Sequence, residues 1–128
     1  MAKRFLIASD VIIGYLRGRE QAIRYLESLD GALCVSAITV AELHSGVRDN
    51  DEEAALERFL SAFDVIPIDQ ALARLGGLCR RNYEPGYGTG LADAIVAMSA
   101  ESAGAVLVTF DKRHYPMIDD LVVPYRRS

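Results

Sequence analysis

The sequence predicts a three-layer α/β/α domain, with helices on both faces of a central parallel sheet of four to five strands. Three observations support this fold class. Short apolar runs alternate along the chain with segments whose apolar residues recur at helical spacing. The runs are only four or five residues long and almost uninterrupted by polar residues, as is typical of parallel strands buried on both faces. The length of 128 residues suits one domain, so residues 1–128 are expected to form a single unit.

The first half of the chain predicts three strands and four helices. Gly18 ends the first helix, and the pair Asp30-Gly31 ends the second. Pro67 cannot donate a ladder hydrogen bond, so the third strand is expected at an edge of the sheet. The predicted order is strand 4–8, helix 11–16, helix 20–29, strand 33–36, helix 39–47, helix 51–63 and strand 65–68.

The second half predicts two helices and two strands around a glycine-rich loop. A helix is expected from Gln70 to about Tyr83 and should end before Pro85, because proline breaks the helical hydrogen-bond pattern. A loop with glycines at 86, 88 and 90 follows, without the GKS/T ending of a phosphate-binding loop. A helix at 91–103 and strands at 105–109 and 121–123 complete the prediction.

Composition and charge exclude several classes of protein. The chain has 14 basic and 18 acidic residues, a net charge of −4, so it is not expected to coat nucleic acid by bulk charge. Phosphate contacts would come from local patches, of which Lys112 and Arg113 beside Asp111 are the most plausible. Cys34 and Cys79 do not form a CxxC pair and are expected to be reduced thiols. His44 and His114 are too isolated in the sequence to predict a zinc site.

No segment resembles a membrane span or a cleavable leader. The apolar run near the N-terminus is interrupted by Asp10 and lacks a small-residue cleavage site. No other stretch has the length of apolar residues that a bilayer requires. We therefore expect a cytoplasmic protein that makes no contact with a membrane.

Four acidic residues occupy unusual positions: Asp10, Glu42, Asp93 and Asp111. Asp10 and Asp111 follow predicted strands, and Asp93 lies in the first turn of an apolar helix. Each has a structural explanation, as a helix cap or a partly exposed helix residue. However, the carboxyl ends of parallel strands form the usual binding edge of such a sheet, and the four would converge there if the first and fourth strands are neighbours. Clustered carboxylates favour a hard cation, Mg²⁺ or Mn²⁺, and hence phosphodiester hydrolysis.

Four segments containing these residues resemble, in order, the motifs of the PIN-domain ribonucleases, and in size the chain is similar to VapC-type toxins. They are FLIASDVIIGYLRG at 5–18, SAITVAELHSGV at 36–47, LADAIVAMSA at 91–100 and VTFDKR at 108–113. The resemblance implies a PIN-like fold, and catalytic and metal-binding roles for Glu42, Asp93 and Asp111. Thr109 would be the nearby catalytic hydroxyl, and Asp10 is a further candidate ligand. The resemblance also implies an RNA substrate, a cognate VapB-like antitoxin and a homodimer.

One position departs from the family pattern. Members usually carry an Asp two residues before the position of Asp10, where this chain has Ala8. The resemblance makes that Asp a central metal ligand, so Ala8 marks a missing ligand and impaired activity. Two explanations remain open: an engineered substitution that disarms a toxic nuclease, or a natural pseudo-enzyme.

The lead hypothesis is thus a metal-dependent toxin endoribonuclease that an antitoxin neutralises. The alternative is a non-catalytic PIN-like module that sequesters an antitoxin or RNA. A phosphoacceptor receiver domain is disfavoured, because its acceptor would be Asp69 beside an edge strand, and Glu42 and Asp93 would have no role. The helices predicted within 11–29 and 51–63 carry more apolar side chains than one sheet face covers, which predicts a groove for an amphipathic antitoxin segment. That segment could also place an Arg or Lys in the acidic pocket.

Overall fold

The computed structural model describes residues 3–127 and has a four-stranded parallel sheet at its centre. The strands are β1 (Arg4–Ile7), β2 (Ala32–Ser36), β3 (Asp64–Ile66) and β4 (Val106–Val108). Their order is β3-β2-β1-β4. β1 therefore lies inside the sheet and is hydrogen-bonded to β4, which forms one edge. In this register Leu6 lies opposite Leu107 and Ile7 opposite Val108. The carboxyl ends of β1 and β4 therefore lie side by side.

Six helices cover the two faces of the sheet, which confirms the predicted three-layer arrangement. They are α1 (Ser9–Leu16), α2 (Glu20–Ser28), α3 (Ala37–Ser45), α4 (Asn50–Leu60), α5 (Gln70–Tyr87) and α6 (Leu91–Ala103). Phe5 and Ile7 of β1 pack with residues of α1 to α4 on one face. Leu6 packs with residues of α5 and α6 on the other, as the alternation of side chains along a strand requires. No helix in the described range 3–127 is both long and apolar enough to cross a bilayer.

Helix α5 is longer than predicted. It continues through Pro85 and ends at Tyr87, where Gly88 adopts a left-handed conformation with φ of 71°. Proline removes only one helical hydrogen bond, to the carbonyl of Arg81, and both residues are exposed, so water can satisfy that carbonyl. The amide of Gly88 still reaches the carbonyl of Glu84 at 2.9 Å. The predicted loop is thereby reduced to residues 88–90.

Two of the predicted strands, 65–68 and 121–123, differ from the structure. β3 lies at the sheet edge, as Pro67 indicated, but it ends at Ile66. The predicted strand 121–123 is reduced to a single parallel bridge between Val108 and Val122. Val122 donates to the carbonyl of Leu107 at 2.9 Å and accepts from the amide of Thr109 at 3.1 Å. The segment around Val122 therefore pairs with β4 at one residue only and does not form a fifth strand.

Candidate active site

The four predicted acidic residues lie around the carboxyl ends of three neighbouring strands. Asp10 is in the first turn of α1, directly after β1, and Asp111 follows the end of β4. Glu42 lies on α3, the helix that follows β2 without a loop. Asp93 is in the first turn of α6. The pairing of β1 with β4, on which this convergence depends, is present in the structure.

Asp10 is fully engaged by protein donors. Its Oδ2 accepts from the hydroxyl of Thr109 at 2.9 Å and from the amide of Phe110 at 3.0 Å. Its Oδ1 accepts from the amide of Val11 at 2.8 Å. The Thr109 side chain is buried and also accepts from the amide of Asp111 at 3.2 Å. Asp10 and Thr109 therefore tie the start of α1 to the segment that carries Asp111.

Asp93 is held from two sides. Oδ2 accepts from the amide of Gly90 at 3.2 Å, which anchors the carboxylate at the N-terminus of α6. Oδ1 accepts from the phenol of Tyr115 at 3.2 Å. Tyr115 is only 5 % exposed, so its hydroxyl has little access to solvent as an alternative partner. The orientation of Asp93 is thus fixed before any ligand binds.

His114 lies between two of the carboxylates. Its Nδ1 is 2.6 Å from Oδ2 of Asp111 and 3.4 Å from Oδ2 of Asp93. Two further contacts position its backbone: its amide donates to Asp111 Oδ1 at 3.3 Å, and its carbonyl accepts from the hydroxyl of Thr89 at 2.8 Å. The imidazole therefore occupies the space between the carboxylates of Asp93 and Asp111.

The pKa shifts show that the acidic groups share one electrostatic environment. Partial desolvation raises the pKa of Glu42, and the neighbouring charges of Asp93 and Asp10 raise it further. Burial raises the pKa of Tyr115 above its ordinary value, and Asp93, Asp10 and Asp111 add to the rise. Asp10, Asp93 and Asp111 thus each raise the pKa of at least one other group of the site.

Ala8 occupies the N-cap position of α1, with its side chain 5 % exposed and packed in the apolar cluster below the site. It provides no side-chain hydrogen bond to the first turn of the helix. Among the residues that the structure describes, no three of the acidic side chains of this site bring ligand atoms within 4.8 Å of one another. The site is therefore rich in oxygen donors but more open than a closed metal cage.

The donor types nevertheless fit a hard divalent cation. Carboxylate oxygens are the ligands that Mg²⁺ and Mn²⁺ prefer. Asp93, Asp111 and Glu42 would supply them, and Asp10 is a further candidate whose two oxygens accept three protein hydrogen bonds. Lys112 and Arg113 are exposed next to Asp111, where they can reach a phosphate backbone.

Sequence reasoning missed His114 and Tyr115. The available signal was their position, three and four residues after an acidic residue at a strand end, where a tight turn returns side chains to that residue. A lone aromatic after a strand is, however, more often a core residue. Only the packing of the 109–118 segment against α6 identifies Tyr115 as a donor to Asp93.

A groove of about 820 Å³ adjoins the acidic site. It lies between α1, α3 and α4, and Glu42 lines it as well as the site. Its walls include exposed apolar side chains of α1, Ile13 at 38 % and Leu16 at 45 % exposure. The other lining residues are Ser9, Arg17, Leu43, Ser45, Gly46, Val47, Arg48, Glu52, Ala55 and Leu56. The predicted groove involved α2 as well, but no residue of α2 lines the observed one.

Comparisons with known proteins agree with this geometry. The sequence profile of the PIN domain matches residues 6–118. Ribonuclease VapC10 of Mycobacterium tuberculosis is 35 % identical over 123 residues, which cover 94 % of this chain and 92 % of that protein. Ribonuclease VapC19 of the same organism is 35 % identical over 124 residues, covering 94 % and 98 %.

Solved structures show the same likeness. A toxin–antitoxin complex from Klebsiella pneumoniae contains a chain with a TM-score of 0.82 and 27 % identity, and the match covers 95 % of this chain and 98 % of that one. DNA-bound VapBC from Salmonella typhimurium gives a TM-score of 0.74 and 26 % identity, covering 94 % and 96 %.

Proposed function

The chain belongs to the PIN-domain family, and on this basis we propose that it is a VapC-type toxin, an endoribonuclease that a cognate VapB-like antitoxin neutralises. The observation that carries the proposal is the placement of Asp10, Glu42, Asp93 and Asp111 around adjacent strand ends, in the order of the family motifs. The curated relatives are named ribonucleases, which supports the same activity here.

In this proposal Asp93, Asp111 and Glu42 would hold Mg²⁺ or Mn²⁺, with Asp10 as a further candidate ligand. When bound, the cation lowers the pKa of an attacking water and offsets the charge that develops at the scissile phosphodiester. Tyr115 and the amide of Gly90 keep Asp93 in the ligating orientation. Thr109 and Asp10 hold the segment that carries Asp111. Lys112 and Arg113 contact the phosphates that flank the cleaved bond.

Ala8 impairs this copy of the site. The position is buried at the start of α1, two residues before Asp10, and contributes a methyl group where family members provide a carboxylate. Loss of a residue that merely supports a ligand lowers metal affinity or activity about 10- to 100-fold, so loss of a ligand should cost at least as much. The chain as it stands is therefore expected to bind the cation weakly and to cleave RNA slowly.

The antitoxin would occupy the groove between α1, α3 and α4. Exposed Ile13 and Leu16 offer apolar contacts to one face of an amphipathic segment. Glu42 lines both the groove and the acidic site, so a segment in the groove can deliver an Arg or Lys to the carboxylates. The structural neighbours from Klebsiella pneumoniae and Salmonella typhimurium are described as a toxin–antitoxin complex and as VapBC, which supports this kind of partner.

A homodimer is also part of the proposal. Large apolar side chains that are exposed outside the groove support it: Leu75 and Tyr87 on α5 and Leu91 on α6 are each at least 45 % exposed. A second copy could cover them and set two sites along one RNA-binding face. Light scattering at micromolar concentration should give the mass of two chains, and the mass of one chain would refute the dimer.

The alternative function is a pseudo-nuclease that only binds an antitoxin or RNA. Ala8 favours it, as does His114, whose imidazole already lies between Asp93 and Asp111. Under this alternative the fold and the groove would be retained, and cleavage would not return when a carboxylate is restored at position 8.

The decisive experiment is to restore that carboxylate. Ala8→Asp should give an RNase that needs Mg²⁺ or Mn²⁺ and is inhibited by a chelator, and Asp93→Asn added to it should abolish cleavage. Asp119→Asn, which changes an exposed acidic residue elsewhere, is the matched control and should leave the restored activity intact. A folded Ala8→Asp protein that cleaves no RNA with either cation would reject the nuclease and favour the pseudo-nuclease.

A further inference from the structure

A second group of metal-ligating side chains lies away from the acidic site. Residues His44 on α3 and Glu53 and Glu57 on α4 each bring one ligand atom to within 4.8 Å of the other two. Among the described residues, no other three His, Cys, Asp or Glu side chains bring their ligand atoms this close together. The sequence did not predict this group, because its three side chains come together only when α3 packs against α4.

The imidazole of His44 is held by a hydrogen bond to its own helix. Its Nδ1 is 2.8 Å from the carbonyl of Val40, one turn earlier on α3. A carbonyl can only accept a hydrogen bond, so Nδ1 is the donor, and in the neutral imidazole this leaves Nε2 as the nitrogen that can bind a metal. Metal-binding histidines in proteins characteristically donate their other ring nitrogen to a carbonyl or carboxylate in this way.

The two glutamates face each other without a protein cation. Glu53 and Glu57 are one helical turn apart and exposed, a like-charge arrangement that disfavours a helix. Three other glutamates, Glu20, Glu52 and Glu84, each form an ion pair with an arginine one turn away. Neither Glu53 nor Glu57 forms an ion pair within the described part of the chain. A cation between them would remove the repulsion.

We propose that His44, Glu53 and Glu57 form a binding site for a divalent transition metal, tested here as Zn²⁺, which would link α3 to α4. One imidazole nitrogen and two carboxylate oxygens are a donor set that Zn²⁺ accepts, with water as the fourth ligand. The imidazole distinguishes this site from the all-oxygen site at the strand ends, which suits Mg²⁺ or Mn²⁺.

The site has a direct consequence for the groove. His44 lies between Leu43 and Ser45, and Glu53 and Glu57 each adjoin a lining residue, Glu52 and Leu56. Zn²⁺ bound to the three side chains would fix the distance between the two helices that form one wall of the groove. The inference does not depend on nuclease activity, since the three residues lie outside the acidic site.

Zinc binding can be measured with ZnCl₂ alone. The chain with Asp93→Asn, which weakens the acidic site, is titrated by calorimetry, and its thermal unfolding is followed with and without Zn²⁺. We expect one bound Zn²⁺ and a higher unfolding temperature. His44→Gln and Glu57→Gln in the same background should each lower the Zn²⁺ affinity by at least about tenfold and remove the temperature shift. Asp51→Asn, an exposed acidic residue of α4 outside the group, is the matched control and should bind as before.

The outcomes separate clearly. Absence of Zn²⁺ binding in the Asp93→Asn chain overturns the proposal, as does unchanged affinity in the Glu57→Gln variant. Glu57 is exposed, so its substitution is not expected to disturb folding, and this variant keeps the test valid even if His44→Gln unfolds. Because Zn²⁺ binding is read without RNA, a failure here leaves the proposed nuclease function unaffected.

Discussion

The phenol of Tyr115 donates a hydrogen bond of 3.2 Å to Oδ1 of Asp93, across a sequence separation of 22 residues. Tyr115 is buried, and burial together with Asp93 raises the pKa of its hydroxyl, so the donor stays protonated well into the alkaline range. The carboxylate of Asp93 is thus oriented by a neutral group that neither gains nor loses charge near neutral pH.

Tyr115→Phe should therefore weaken metal binding at the acidic site. The substitution keeps the ring but leaves Oδ1 of Asp93 without its donor. In the Ala8→Asp background we expect Mn²⁺ affinity to fall about 10- to 100-fold, with a loss of about 1 kcal/mol in the free energy of unfolding. Electron paramagnetic resonance of free Mn²⁺ measures the affinity directly. Tyr87→Phe, at an exposed tyrosine of α5, is the control, and equal Mn²⁺ affinity in both variants would rule out the positioning role.

Ala8→Asp should strengthen metal binding even before activity is measured. The new carboxylate would stand at the N-cap of α1, where it can both accept from the first-turn amides and face the acidic group. Calorimetric titration with Mg²⁺ or Mn²⁺ should show affinity at least about tenfold higher than for the Ala8 chain. Ala8→Asn offers a neutral comparison with similar capping ability. If the Asp and Asn variants bind the cation equally, position 8 does not supply a ligand.

Glu42→Gln should separate stability from catalysis. A raised pKa in the folded chain means that ionised Glu42 disfavours folding, so this group's contribution to stability is lost as the pH rises from the ordinary carboxyl value of 4.5 through the folded pKa. At pH 7 the variant should be as stable as its parent or slightly more so, by less than about 1 kcal/mol because Glu42 is exposed. Below the ordinary pKa the difference should disappear.

The same substitution should strongly reduce RNA cleavage in the Ala8→Asp background, because it removes a proposed ligand. Thermal unfolding at several pH values and an RNase assay provide the two measurements. Glu27→Gln, at an exposed glutamate of α2, should change neither quantity. A Glu42→Gln protein that is clearly less stable at pH 7 than at pH 4, relative to its parent, would contradict the assigned repulsion.

Leu16→Lys should disrupt antitoxin binding without disrupting the fold. Leu16 is 45 % exposed on the groove wall, so a charge there is tolerated by the free chain but would be buried by a docked segment. We expect the dissociation constant for the proposed VapB-like antitoxin to rise at least about tenfold. Val123→Lys changes another exposed apolar residue outside the groove and serves as the control. Equal loss of binding in both variants would place the partner elsewhere.

The sequence carried enough information for the fold class but less for the exact ends of its elements. Short, uninterrupted apolar runs indicate strands that are buried on both faces of a sheet. Pro67 indicated an edge strand, because proline has no backbone N–H to donate to a second neighbouring strand. Pro85 was misread as a helix end, since the cost of one lost hydrogen bond depends on whether its carbonyl faces water. The prediction of a strand at 121–123 was wrong because only Val122 pairs with a residue of β4.

Asp10 and Asp111 could be located because they follow short apolar strands, and Asp93 because it lies in the first turn of an apolar helix. Their neighbours could not: the contacts of Tyr115 with Asp93 and of Glu57 with His44 join separate elements, and no local pattern specifies them. The metal-binding, catalytic and partner roles given to these residues remain predictions for the experiments above.

The position of β4 beside β1 also determines when the site can exist. Thr109 and Asp10 are hydrogen-bonded although they are 99 residues apart, and the chain emerges from the ribosome N-terminus first. Until residues 106–111 have been made, β1 has an open apolar edge, Asp10 lacks two of its donors, and Asp111 is absent. Unfinished chains therefore lack part of the acidic site, and their open β1 edge is expected to favour aggregation. A chain that ends before β4 can therefore form neither the contact between Asp10 and Thr109 nor the complete acidic site.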